Sequence, residues 1–343
     1  MAAAPEHVDV FVSGEDGVCE YRIPALVVTN EGTLLAVCDA RVDRRGDPPN
    51  NIDLVMKRSF DNGKTWTPLQ VIRRYPGDEA AADPCMLVDR DTGAIWIFYD
   101  YAIPDADLPE RRKIVLHAIS SRDDGETWSE PVDLIATLQP PEGMNLMAGP
   151  GMGMQMHNGR LVAPIYCRHI TGDPSLVHVV YSDDHGATWQ IGAGVGSTHN
   201  EHQVAELAGG ALMSIIRQQP SRGRRLVALS TDGGETWADT WEESALIEPG
   251  CQASFIRYTE QQDGAGTNRL LFANCASTEA RVNGTVRLSY DEGRTWPVAK
   301  TIYDGEFAYC CLTALPDGTI GLLYERDDYG KLTFARFTLE WLT

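Results

Sequence analysis

Ser59-Phe60-Asp61-Asn62-Gly63-Lys64-Thr65-Trp66 decides the fold, because the chain repeats its pattern. Ser-x-Asp-x-Gly-x-Thr-Trp returns at 121–128, 182–189, 230–237 and 289–296. Five of the eight tryptophans lie in these boxes. Successive copies are 62, 61, 48 and 59 residues apart, so 343 residues hold about six units. An apolar, β-rich run precedes each copy, as at 52–56, 114–116, 177–181, 226–229 and 286–288. Alternation and β-branching make these runs strands. The box supplies hairpin chemistry: Ser and Asp bond nearby N–H groups, Gly permits positive φ, and Trp packs back on the sheet. Its carboxylates are therefore read as structural.

Few segments sustain a 3.6-residue apolar period, which excludes a TIM barrel or a Rossmann fold. Small sheets repeated six times predict an all-β, six-bladed β-propeller with four-stranded antiparallel blades. Residues 1–343 then form a single domain. The 32 glycines and 19 prolines serve its many turns. The segment 332–342 is expected to pair with 8–12 and so remove an open edge.

Twenty-nine basic against 49 acidic residues give a net charge of −20. Such a chain repels phosphate backbones, so nucleic acid is excluded as a partner, and anionic membrane surfaces are disfavoured. No run of 18 apolar residues exists, so no transmembrane helix is expected. The first residues lack a basic and an apolar signal region, which predicts a cytoplasmic chain, or a secreted or periplasmic one if a leader has been removed. Eight cysteines without a Cys-x-x-Cys pair read as free buried thiols. Cys310-Cys311 reads as two small apolar strand residues rather than a vicinal disulfide.

Other stretches name a chemistry. Tyr21-Arg22-Ile23-Pro24 precedes a strand near the amino terminus, and 200–207 reads Asn-Glu-His-Gln-Val-Ala-Glu-Leu. With five boxes in register, these resemble the exo-α-sialidases, or neuraminidases, of the bacterial and animal type, and the resemblance covers nearly the whole chain. It implies the sialidase propeller and the following roles. Arg22, Arg217 and Arg281 match a three-arginine cluster that binds the substrate carboxylate. Glu201 matches the catalytic glutamate, Tyr309 the nucleophile and Asp47 the acid/base. Glu325 matches the residue bracing the first arginine. Asp83 matches a contact to the substrate's 5-substituent, and Arg41 an additional carboxylate contact. The chain departs from the family at Tyr21, at Cys310-Cys311, and at His202, which beside Glu201 could alter its ionisation or touch the leaving group.

The implied substrate is a terminal sialic acid of a glycan or a free sialoside. Its anomeric carbon carries a carboxylate, which planar guanidiniums can grip with paired bonds. Three clustered cations call for a bracing anion. A carboxylate nucleophile would face repulsion from that substrate charge, whereas a phenol is neutral until it loses its proton. With a reference pKa of about 10 it needs a base nearby, the role of Glu201. Asp47 then protonates the leaving oxygen and later activates water, giving retention and an acidic rate optimum. No cofactor is implied.

Rivals remain: a same-fold glycosidase for another nonulosonic acid such as the deaminated form, a trans-sialidase, or a non-catalytic propeller that binds glycan or protein. No metal is expected at 199–202, where the helical His-Glu-x-x-His spacing is absent. No glycan is expected on Asn283-Gly284-Thr285 beside Arg281. The glycine-rich stretch 149–153 reads as a turn at a blade rim.

Overall fold

The computed structural model describes residues 2–104, 112–140, 143–170 and 172–343. Among these, strands dominate, and the helical pieces are short turns at Ile135–Leu138, Gln261–Asp263 and Leu339–Leu342. The strands form antiparallel meanders of four. The first unit runs Glu20–Val28, Leu34–Arg41, Ile52–Ser59 and Gln70–Arg73, each bonded to the one before. Further units begin at Ala80–Val88, Met144–Ala148, His199–Glu206 and Ser254–Thr259. The last uses the second half of Val298–Ala314, then Ile320–Arg326, Lys331–Phe337 and Glu6–Val12.

The expected closure of the chain ends is present: Val8 lies opposite Phe334, and Val12 opposite Lys331. The units are not six separate sheets, however. A parallel bridge between Ile52 and Ala80 fuses the first two into a nine-stranded sheet. The 17-residue strand Val298–Ala314 pairs with Val282–Ser289 by its first half and with Ile320–Arg326 by its second. Hydrogen bonding therefore leaves sheets of seven, five, nine and four strands among the described residues.

In every box the serine hydroxyl donates to the aspartate two residues on and accepts from the glycine N–H, as Ser59 does with Asp61 and Gly63, both at 2.8 Å. The aspartate also takes the threonine N–H and hydroxyl. Bonds from Thr65 hold Asp61 down at about 2, and bonds from Thr127 do the same for Asp123. These carboxylates are committed to their turns. The box glycines are also where successive units touch. A Cβ on Gly63, at φ +85°, would lie 2.0 Å from the ring of Phe334, and one on Gly186 2.2 Å from Trp96. The box tryptophans are less uniformly buried than expected: Trp189 and Trp296 are buried, while Trp66, Trp128 and Trp237 are half-buried.

All eight cysteines are free, and all but Cys19 are buried. Cys310 and Cys311 lie within the Val298–Ala314 strand, as read. The stretch 149–153 is not a rim turn. Gly151–Met152 pairs parallel with Cys85 and Met86, and Met152 packs against three separate core clusters. The Pro150 carbonyl accepts from Gln203 and Gln252, both at 3.1 Å. Glycine is needed for close approach: a Cβ on Gly153 would sit 2.5 Å from the Val162 carbonyl oxygen.

Candidate active site

The Glu20–Val28 and Ala80–Val88 strands carry the same irregularity near their beginnings. Register shifts between Arg22 and Ala25 and between Ala82 and Cys85, where Ile23 and Asp83 take left-handed φ of 60° and 57° before a proline. A β-branched residue in that region is strained, so something must hold it. Buried carboxylates from the second strands do so. Glu325 accepts from the Ile23 N–H at 2.8 Å, and Asp39 from the Asp83 N–H at 2.9 Å. Asp100 accepts from the Ala148 N–H at 2.8 Å in the same manner.

These bulges turn side chains into one cavity of about 240 Å³. Arg22, Arg217, Arg281, Glu201 and Tyr309 line it, and so do Asp47, Arg41 and Asp83. The three arginines converge on Tyr309. The Arg22 guanidinium lies 5.1 Å from its ring centroid, that of Arg281 5.5 Å, and Arg217 Nη1 donates to its hydroxyl at 3.0 Å. The Tyr309 hydroxyl donates to Glu201 Oε1, whose other oxygen accepts from Arg217 at 2.5 Å. Burial, then the Glu201 carboxylate, push the Tyr309 phenol well above its ordinary range, against the pull of Arg217 and Arg22. The phenol keeps its proton, which points at Glu201.

Glu325 stands behind the cavity, fully buried. It holds Arg22 through two bonds of 2.9 Å and also accepts from the Tyr309 N–H at 3.0 Å. One carboxylate thus fixes both the first arginine and the tyrosine. Arg41 is buried between Glu20 at 3.0 Å and Asp47 at 2.6 Å. Asp47 is the most open of the group, its side chain 67% exposed.

His202 does not meet Glu201's surroundings. Successive strand residues face opposite sides. Its ring is buried on the far face, where it contacts Ser214 at 2.8 Å and the His178 carbonyl at 2.8 Å. Burial pushes it down to about 4, so it is a neutral core histidine with no reach to a leaving group.

Sequence reasoning missed Asp39, Asp100 and Tyr329. A signal for the carboxylates existed: Asp39, Asp100 and Glu325 each end a run of apolar or glycine residues, at 34–38, 95–99 and 320–324. Burial above all pushes Asp39 and Asp100 well up. Tyr329, in a turn at φ 60°, lies under Arg22 at 4.0 Å and accepts from Arg281 at 3.2 Å.

Asp83 carries a pH consequence. Burial, followed by the charges of Glu201 and Asp47, pushes it up to about 7. The unfolded chain ionises this group near 4, so the folded state holds a proton that the unfolded one has released. Stability therefore falls as pH rises between about 4 and about 7. Asp83→Asn is expected to melt higher than the parent at about pH 8, with no such gain at about pH 3.5. Thermal melts at both values check this; an equal difference at the two contradicts it.

Two groups of metal-ligating side chains occur among the described residues, both outside the cavity. In one, Asp89, Asp91 and His185 satisfy one another and their neighbours: Asp89 accepts from Thr92, Gln155 and His185. The other comprises His157, Glu260 and Asp263.

Known proteins carry related chains. The BNR repeat-like domain model matches residues 32–322. A sialidase of Micromonospora viridifaciens is 38% identical over 97% of this chain and 54% of its own length, so this chain spans about half of that relative. Sialidase-2 of Mus musculus is 30% identical, covering 94% of this chain and 93% of its own. Among solved structures, a Hadza microbial sialidase superposes with a TM-score of 0.89 at 32% identity, over 98% of this chain and 69% of that one. A repeat model spanning most of the residues, and identity running nearly end to end through a mouse sialidase, agree with the fold and the converging arginines: the chain belongs to the sialidase family.

Proposed function

We propose that the protein is a retaining exo-α-sialidase, hydrolysing terminal α-linked sialic acids through a tyrosine nucleophile. The observation that carries this is the Tyr309 hydroxyl: it donates to Glu201 and accepts from Arg217, inside a cavity also lined by Arg22 and Arg281. The arginines bind the substrate carboxylate. Glu201 takes the phenolic proton as Tyr309 attacks the anomeric carbon, and Arg217 stabilises the charge that develops on its oxygen. Sialidases are an established exception to carboxylate nucleophiles in glycoside hydrolysis. Two inversions at one carbon leave the configuration unchanged. We also read the six units as blades of one propeller domain. In support, the Glu20–Val28 strand touches both Ala80–Val88 and Val298–Ala314, and His199–Glu206 touches Ser254–Thr259.

Asp47 is assigned as acid/base. Its Oδ1 accepts from Arg41 at 2.6 Å, which leaves Oδ2 to carry the proton toward a leaving oxygen. A poor leaving group needs that proton and an activated aryl group scarcely does. Asp47→Ala is therefore expected to lose at least about tenfold more kcat/KM on a sialyl-lactose than on an aryl sialoside. Equal losses on both contradict the assignment.

The function as a whole is tested with a fluorogenic aryl sialoside, following the released sugar by NMR. Free sialic acid appearing first as the α-anomer is expected. A β-anomer first, transfer to an added glycan without net hydrolysis, or turnover confined to deaminated sialosides contradicts the reading. Binding without turnover favours the non-catalytic propeller.

A further inference from the structure

The His199–Glu206 strand has two functional ends. Glu201 stands at the cavity, and Glu206, five residues on, lies roughly 17 Å further along the extended strand. There Glu206 meets His157, from the turn between Met154–Gln155 and Leu161–His169. Glu206 Oε2 accepts from the His157 backbone N–H and lies against its Nδ1, both at 2.9 Å. Nδ1 faces Glu206 and Nε2 faces Asp263, both within hydrogen-bond reach, so the ring serves either as a cation bonded to both or, with its proton on Nδ1, as a ligand through Nε2.

Nε2 points at carboxylates. Nε2 lies 3.4 Å from Asp263 Oδ1 and 3.7 Å from Glu260 Oε2. Carboxylates gathered round one ring nitrogen call for positive charge there, supplied by a proton on Nε2 or by a bound metal ion. Glu260 makes the point sharply: its side chain is 2% exposed, yet Oε2 has no hydrogen-bond partner. Its Oε1 accepts from Gln262 at 2.9 Å. Arg257 approaches Oε2 no closer than 3.9 Å, and its guanidinium is taken up by Glu292 and the Glu206 carbonyl.

We propose that His157, Glu260 and Asp263 form a binding site for one zinc-type divalent transition ion, with Glu206 orienting the histidine. The donor set chooses the ion. Imidazole with carboxylates suits zinc and its neighbours, whereas calcium takes oxygen ligands. The spacing agrees. Ligands about 2.0–2.2 Å from a tetrahedral zinc lie roughly 3.3–3.6 Å apart, close to the two distances found. A carboxylate on the far ring nitrogen is the arrangement that orients histidines at metal centres. His157 belongs to the third unit, Glu206 to the fourth and Glu260 with Asp263 to the fifth, so a bound ion would tie three successive units at the end of the strands away from the active site.

The test uses protein stripped with chelator and dialysed, titrated with zinc chloride alone by calorimetry, with melting followed in parallel. One equivalent should bind and raise the melting temperature. Glu260→Gln and Asp263→Asn should each weaken that binding at least about tenfold, and Glu206→Gln about 10- to 100-fold. Asp263 is exposed, so its variant keeps the test valid should a Glu260 variant fold poorly. Asp91→Asn, in the other cluster, should bind as the parent does. Unchanged binding in the Glu260 and Asp263 variants overturns the proposal. So does binding of calcium in preference to zinc. A parent that binds no zinc overturns it as well, the site then holding a proton on His157 in place of an ion.

Discussion

Tyr309→Phe is expected to lower kcat on an aryl sialoside by at least about a thousandfold while leaving KM within a few-fold. The substitution removes one oxygen from a buried ring. Glu201 and Arg217 remain paired at 2.5 Å, so no charge is stranded and the variant should fold. On the proposed reading carboxylate binding changes little, because Arg22 and Arg281 meet the ring and only Arg217 loses a bond to the hydroxyl. What disappears is the atom that attacks in the proposed mechanism. The phenol sits well above its ordinary range in the resting site, so attack depends on proton transfer to Glu201 in the same step. Turnover equal to the parent's contradicts the nucleophile assignment.

Loss of Glu325 is expected to damage stability and binding together. Its two oxygens serve Arg22 twice, the Ile23 N–H and the Tyr309 N–H, with no exposure to solvent. Removing one partner of a buried ion pair typically costs about 3–5 kcal/mol, because the other charge is left uncompensated. Glu325→Ala should therefore lose about that much in denaturant unfolding. Glu325→Gln keeps part of the hydrogen bonding and should be milder in stability, but with a KM raised at least about tenfold, since Arg22 is no longer fixed. An alanine variant that unfolds like the parent, or a glutamine variant with parental KM, contradicts this account of the brace.

The five boxes made the strand order and the repeat count legible, because their turn chemistry is local and needs no tertiary partner. Arg22, Arg217, Arg281, Glu201 and Tyr309 were legible through resemblance, and they share one cavity. What escaped was set by facing and by register. His202 follows Glu201 in the chain, but strand alternation sends it to the core. That parity was readable, since it needs only the reading of 199–206 as a strand. Asp39 and Asp100 drew no reading, because the N–H groups they hold, at Asp83 and Ala148, come from neighbouring units far off in the chain. The stretch 149–153 looked like a rim turn because glycine and proline there signal a turn, whereas close approach to Pro164 and Val162 is the reason for the glycines. The fusion of units into larger sheets rests on a single bridge and one long strand, neither of which leaves a mark in the repeat.

Covalent trapping tests the central claim most directly. A fluorinated sialosyl fluoride slows both steps and lets the glycosyl-enzyme accumulate, and digestion with mass spectrometry then locates the sugar. The account predicts one sialosyl group on the Tyr309 oxygen, absent from Tyr309→Phe. A sugar found on Glu201, Asp47 or Asp83 instead, or full turnover with no adduct, would contradict it.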